Sequence, residues 1–186
     1  LLARLGKSSK KRGKRDCSPS LWVTAVVHLT TGVPWSWQIG KGNASERHHL
    51  RRLLSTLCKR SLLIADAGYD GYELAAAMIT SGKSFLIRMS SKVELIVEQS
   101  IDSAEFEQGM VKCWPRRVQE KNLPPLRLRL IRVRGRRKVN GKTRKVDVWL
   151  LTNVEESRLS IAQGAYFYRL RWENEGLFRT YKRTLS

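Results

Sequence analysis

The chain has 186 residues, 41% of them hydrophobic, with 36 lysines and arginines against 16 aspartates and glutamates for a formal net charge of +20. That hydrophobic share suffices for a packed core and excludes a disordered basic tail, while the charge calls for a polyanionic partner, nucleic acid first. No apolar run approaches the ~18 residues needed to span a bilayer, and the opening LLARLGKSSKKRGKR lacks the apolar stretch of a secretory signal, so a cytoplasmic, nucleoid-associated protein is expected.

Residues 1–20 are rich in Lys, Arg, Ser and Gly without a period, and read as a basic flexible arm that is either a solvated tail or a phosphate contact. LWVTAVVHLTTGVPWSWQIG follows, two β-branched and aromatic runs separated by Thr30, Thr31, Gly32 and Pro34, the pattern of an antiparallel strand pair. NASERHHLRRLLSTL predicts a helix: Asn43 can cap it, with Glu46 three residues later. Leu50, Leu53, Leu54 and Leu57 form its apolar stripe, and Arg47, Arg51 and Arg52 lie opposite.

In SLLIADAGYDGYELAAAMITSGKSFLIRM, the pattern predicts a strand over Leu62–Ala65, a turn at Ala67 and Gly68, a helix over Tyr72–Thr80 and a strand over Phe85–Met89. Asp66 stands at the carboxyl end of the first strand, where such units open into a ligand crevice. Asp70, in the turn beyond it, is expected to cap the helix.

From 92 to 152 the pattern is β hairpins. LPPLRLRLIRVRGRRKVNGKTRKVDVWLLTN alternates Leu with Arg, passes an Asn140–Gly141 turn of the type I′ kind and returns through Val146, Val148 and Leu150. The alternation slips at Leu130 and Ile131, which predicts a bulge. Arg127, Arg129, Arg132, Arg134, Arg136 and Arg137 are then expected on one exposed surface, either plainly solvated or in contact with DNA. Leu159 to Lys182 predicts a long helix with Ser157 or Asn153 as its cap.

Cys17, Cys58 and Cys113 have no CxxC spacing and no neighbouring histidine, so they suggest neither a zinc site nor a disulfide framework. His28, His48 and His49 are expected to be structural rather than metal ligands.

The final helix raises a question of geometry. At 100° per residue, Arg171, Glu175 and Lys182 lie at about 300°, 340° and 320° from Tyr168, so all four share an arc of roughly 60°. A solvated stripe with an Arg171–Glu175 pair stabilising by only ~0.3 kcal/mol would also account for them. Glu173 lies about 160° from Glu175 and is off the stripe.

The spacing Tyr, two residues, Arg, three residues, Glu, six residues, Lys in YRLRWENEGLFRTYK resembles the signature of DDE transposases of the insertion-sequence-four class. IADAGYDG around Asp66 resembles that family's second-acid motif, and the element order over about residues 18–184 agrees. The resemblance implies an α/β fold: a ribonuclease-H-like core lacking its first strand, with a β-rich insertion before the C-terminal catalytic helix. The boundaries would be a basic arm at 1–20, the first part of the core at 21–91, the insertion at 92–152 and the last core helix at 153–186. It also implies metal-dependent strand cleavage and transfer on double-stranded DNA at transposon ends and target. Asp66 and Glu175 would be catalytic metal ligands for two Mg²⁺ ions, or Mn²⁺ in their place. Arg171 and Lys182 would bind phosphates, and Tyr168 would donate to a phosphate or stack on a displaced base, unless it is a half-buried aromatic at the helix start. Synapsis of two ends would call for a homodimer.

The family's first acid sits in an Asp-Gly-Ser/Thr motif that is not found here. Asp16, the lone acid before Glu46, follows a basic loop. The expectation is an incomplete product that retains two of three acids and has little activity alone. The competing readings are a DNA-binding remnant that does not cut and, less well matched to the spacing, a basic RNA-binding protein.

Overall fold

β-Branched and aromatic residues make 21–41 a hairpin: β1 (Leu21–Val27) pairs antiparallel with β2 (Pro34–Lys41), from Leu21 opposite Lys41 to Val27 opposite Pro34. This computed structural model describes residues 21–41, 45–90, 95–97, 105–139 and 142–171. Two units are distinguished, Leu1–Leu57 with Leu170–Ser186, and Cys58–Arg169.

In the first unit, α1 (Glu46–Leu53) packs on both strands through Leu50 and Leu53, joined by Leu54 and Leu57 just beyond it. His49 is buried, its Nδ1 3.1 Å from the Thr24 hydroxyl, and the Trp35 indole N–H donates to the Thr56 carbonyl at 3.0 Å. Both histidines with a described ring contact serve structure, since His28 meets the Thr31 hydroxyl within its own turn. The N-cap is Ser45, which accepts from the His48 N–H, and not Asn43: the helix starts where the chain first turns its apolar stripe onto the hairpin.

The second unit is a six-stranded mixed sheet. Its strands are β3 (Leu62–Ala65), β4 (Ser84–Arg88), β5 (Leu95–Val97), β6 (Gln108–Cys113), β7 (Leu126–Val139) and β8 (Lys142–Thr152), in spatial order β3-β4-β8-β7-β6-β5. β3 and β4 are parallel, joined by α2 (Tyr72–Thr80), and every other pairing is antiparallel. α2 ends in a Schellman arrangement: the Lys83 N–H donates to Met78 O and the Gly82 N–H to Ile79 O, both at 2.9 Å. Glycine suits position 82 because φ there is +65°. A short helix, α3 (Arg116–Gln119), bridges β6 and β7 and ties to α2 through the Arg117–Glu73 pair at 2.8 Å.

Strand side chains alternate between faces, so the registers divide the sheet into two layers. One face carries Leu62 and Ile64 of β3, Leu86 of β4, Leu150 of β8 and Ile131 of β7, and it packs against Val154, Leu159, Ile161, Phe167 and Tyr168. The last three belong to α4, the helix over residues 161–171. The other face meets α2, whose Leu74, Ala75 and Met78 are buried.

No bulge interrupts β7. Its pairings with β6 and β8 run through Leu130 and Ile131 without a shift, and Leu128 to Ile131 are all buried because both faces are covered there. The unbroken period has a consequence for the arginines. Odd-numbered Arg127 and Arg129 fall on the face of Ile131, and even-numbered Arg132 and Arg134 on the opposite one. Arg129 is buried and donates to the Leu159 carbonyl, and burial pulls its pKa below the ordinary guanidinium value, opposed by Glu156. Arg132 pairs with Asp147 and lies over the Trp149 ring, and Arg134 pairs with Glu107 at 2.6 Å. The expected single arginine surface is therefore not formed. The side chains of Arg136 and Arg137 and the Asn140–Gly141 turn lie outside the described residues, although Val139 pairs with Lys142 across the turn.

α4 starts at residue 161, later than expected, and neither Ser157 nor Asn153 caps it. A capping box does: the Ser160 hydroxyl accepts from the Gln163 N–H at 3.2 Å, and the Gln163 side-chain carbonyl accepts from the Ser160 N–H at 2.8 Å. Asn153 instead clasps the start of β4, accepting from the Phe85 N–H at 3.0 Å and donating to the Lys83 carbonyl at 2.9 Å.

Two outcomes follow from this packing. Asn153→Ala strands the N–H of fully buried Phe85, and should lower unfolding free energy by roughly 1–3 kcal/mol in urea titration. The Cys113 thiol is pushed up to about 11, mainly by burial, whereas Cys58 is exposed. A maleimide at about pH 8 should therefore label Cys58 and spare Cys113 until the protein unfolds.

Candidate active site

The alternation that builds the core also selects what stands at its edge. Asp66 follows Ala65 at the carboxyl end of β3, so it falls on the face of Leu62 and Ile64. Ala65 pairs with Ile87, which makes Arg88 its counterpart at the end of β4 on the same face. α4 covers that face and brings Tyr168, 4% exposed and packed with Leu86, Ile131 and Leu150, to the strand ends.

The three side chains meet at one carboxylate oxygen. Asp66 Oδ1 accepts from the Ala67 N–H at 2.8 Å, where it caps the 3-10 turn Ala67–Tyr69, and from the Tyr168 hydroxyl at 3.2 Å. The Arg88 Nη1 lies 3.8 Å from the same oxygen. Backbone and phenol set the direction of the carboxylate, and the guanidinium balances its charge. The Asp66 and Arg88 side chains are 40% and 37% exposed, so the pair sits at the mouth of the core and contributes only ~0–1 kcal/mol after screening. Tyr168 differs. Its ring is part of the apolar core and its hydroxyl reaches outward to the acid, an arrangement that costs a buried phenol nothing in lost hydrogen bonding.

Asp70 does not cap α2. Gly71 stands at that N-cap with φ +134°, and the buried Asp70 carboxylate accepts the Ser90 N–H at 2.8 Å. This ties the turn after β3 to the segment after β4, so the loops bearing Asp66 and Arg88 are braced against each other.

Of the residues singled out in the sequence, the structure brings Asp66 and Tyr168 together, 102 positions apart. Arg171 is the last described residue of α4. Glu175, Lys182, Glu173 and Asp16 lie outside the described residues. Arg88 was not foreseen. Its signal was available: two parallel strands of one β-α-β unit, each ending in a charged residue directly after an apolar run, place those residues side by side. Among the described residues no three His, Cys, Asp or Glu side chains gather in a metal-binding group, and no helix is long and apolar enough to cross a membrane.

A family model described as the transposase DDE domain matches residues 4–186. Comparison with curated proteins returned no match.

The hydroxyl contact can be weighed directly. Tyr168→Phe keeps the ring and removes the donor, and should lower stability by about 0.5–1.5 kcal/mol. In an Asp66→Asn background the same change should cost measurably less, a coupling that a double-mutant cycle in urea reads out.

Proposed function

Because the chain belongs to the transposase DDE domain family, we propose that it is a DNA transposase of the insertion-sequence-four class, cleaving and transferring strands at transposon ends. Membership implies DNA as substrate and divalent metal ions as cofactors. The finer assignment rests on the Tyr168, Arg171, Glu175, Lys182 spacing and on the surroundings of Asp66.

The observation that carries the proposal is the held carboxylate. A metal-binding acid must present oxygens in a fixed direction while remaining reachable. Asp66 meets both demands, oriented by the Ala67 N–H and the Tyr168 hydroxyl yet 40% exposed. It is also the right type of donor, since hard divalent cations such as Mg²⁺ favour carboxylate oxygen. Asp66 thus fits as one ligand, and Glu175, which the sequence spacing groups with Arg171 and Lys182, is proposed as another. Cations bound there would stabilise the charge that develops on phosphodiester oxygens during in-line displacement. The chain's own groups do the rest. Tyr168 keeps the Asp66 carboxylate aimed, and Arg171 and Lys182 are assigned to the DNA phosphates. The excess of positive charge draws DNA to the surface by counterion release.

Nicking of supercoiled plasmid in Mg²⁺ tests this assignment. Asp66→Asn and Glu175→Gln should each lower the rate by roughly 10²–10³-fold or more, as expected when a group stabilising transition-state charge is lost. DNA affinity should change far less. Equal nicking by all three proteins would reject both acids, and salt-sensitive binding with no nicking by any of them would favour the non-cutting remnant.

A further inference from the structure

We infer that Arg88 is a phosphate-binding residue that Asp66 holds in reserve: it pairs with the bare carboxylate and turns to the DNA strand once a divalent cation takes that carboxylate over. This rests on the reading of Asp66 as a metal ligand.

Arg88 occupies a specific place. β4 delivers it beside Asp66 at the end of a parallel strand pair, above the apolar floor of Leu62, Ile64 and Leu86. Its Nη1 approaches Oδ1 to only 3.8 Å, beyond hydrogen-bonding distance, although the same oxygen accepts from an amide at 2.8 Å and a phenol at 3.2 Å. The contact is an ion pair without the two-pronged fit that arginine makes when carboxylate recognition is its settled role. At 37% exposure the guanidinium already reaches solvent. The pair is weakly bound, and a doubly charged cation at the carboxylate would repel the guanidinium instead of attracting it. Leaving Asp66 takes no proton transfer and no refolding, since rotation of the arginine side chain is sufficient. The anions that DNA offers are its backbone phosphates, to which a guanidinium binds in bidentate fashion.

Salt dependence of DNA binding separates this exchange from a fixed structural pair. Affinity of the full chain for a labelled duplex would be measured against salt in Ca²⁺ and, separately, in EDTA, for the native protein, Arg88→Gln and Arg88→Lys. Removing one phosphate contact lowers the log–log slope by about one. In Ca²⁺ the slope of Arg88→Gln should fall by about one below the native value and that of Arg88→Lys should not; in EDTA all three should agree. Equal slopes in both media, or the same loss in both, would overturn the exchange. Plasmid nicking by Asp66→Asn, run alongside, identifies which idea has failed. If that variant is inactive while the slopes stay equal, only the role of Arg88 falls. If it nicks like the native protein, the metal-ligand reading falls and the exchange with it. Thermal melts of the variants check that each is folded.

Discussion

An uninterrupted two-residue alternation across β3, β4, β8 and β7 governs the second unit. It decides which side chains go inward, which helix covers which face, and what emerges where the strands end. Leu62, Ile64, Leu86, Leu150 and Ile131 share a face because no register shift occurs between these strands. The same parity carries Asp66 and Arg88 onto that face, one step beyond the apolar residues. A single slip in β7 would have moved its whole inward set to the other side.

Packing and chemistry are joined through Tyr168. Its ring completes the apolar cluster that α4 forms on the sheet, and its hydroxyl ends on Asp66. The carboxylate is therefore aimed by the core itself and not by a free loop. A further brace supports the same corner, where Asp70 accepts from Ser90, while Asn153 and the Thr152 hydroxyl fasten the opposite end of β4 through the Phe85 N–H and the Phe85 carbonyl. Each satisfies a backbone group at a strand end, where the ladder no longer can. The strand ends are thus among the more constrained parts of the unit, which is what a site that must hold direction requires.

Much of this was legible in the sequence. Leu62–Ala65 and Tyr72–Thr80 are found at the expected bounds, since a short apolar run and a Gly-bounded helix leave little latitude. The hairpin of β1 and β2 is also as expected. Caps were harder. Ser45 and Ser160 each compete with nearby polar residues that could serve equally well on paper, and tertiary packing decides where a helix starts. At Leu130 and Ile131 the sequence shows consecutive apolar residues, which fit either a bulge or a strand buried on both faces. Cover on both sides made it the latter and sent the arginines to opposite faces. Arg88 was missed although both strands of the β-α-β unit were expected: a charged residue at a strand end stands out only when the two strand ends are set side by side. The contact between Tyr168 and Asp66 spans 102 positions, beyond what helical periodicity can reveal.

The account depends on Asp66 being a ligand for divalent cations, and iron-directed cleavage of the polypeptide tests that most directly. Fe²⁺ loaded in place of Mg²⁺, with ascorbate and peroxide, cuts the backbone close to where the ion sits. Cuts are expected next to Asp66 and next to Arg88, suppressed by excess Mg²⁺ and lost in Asp66→Asn. A cutting pattern that avoids both strand ends, or that survives the substitution unchanged, would contradict the account.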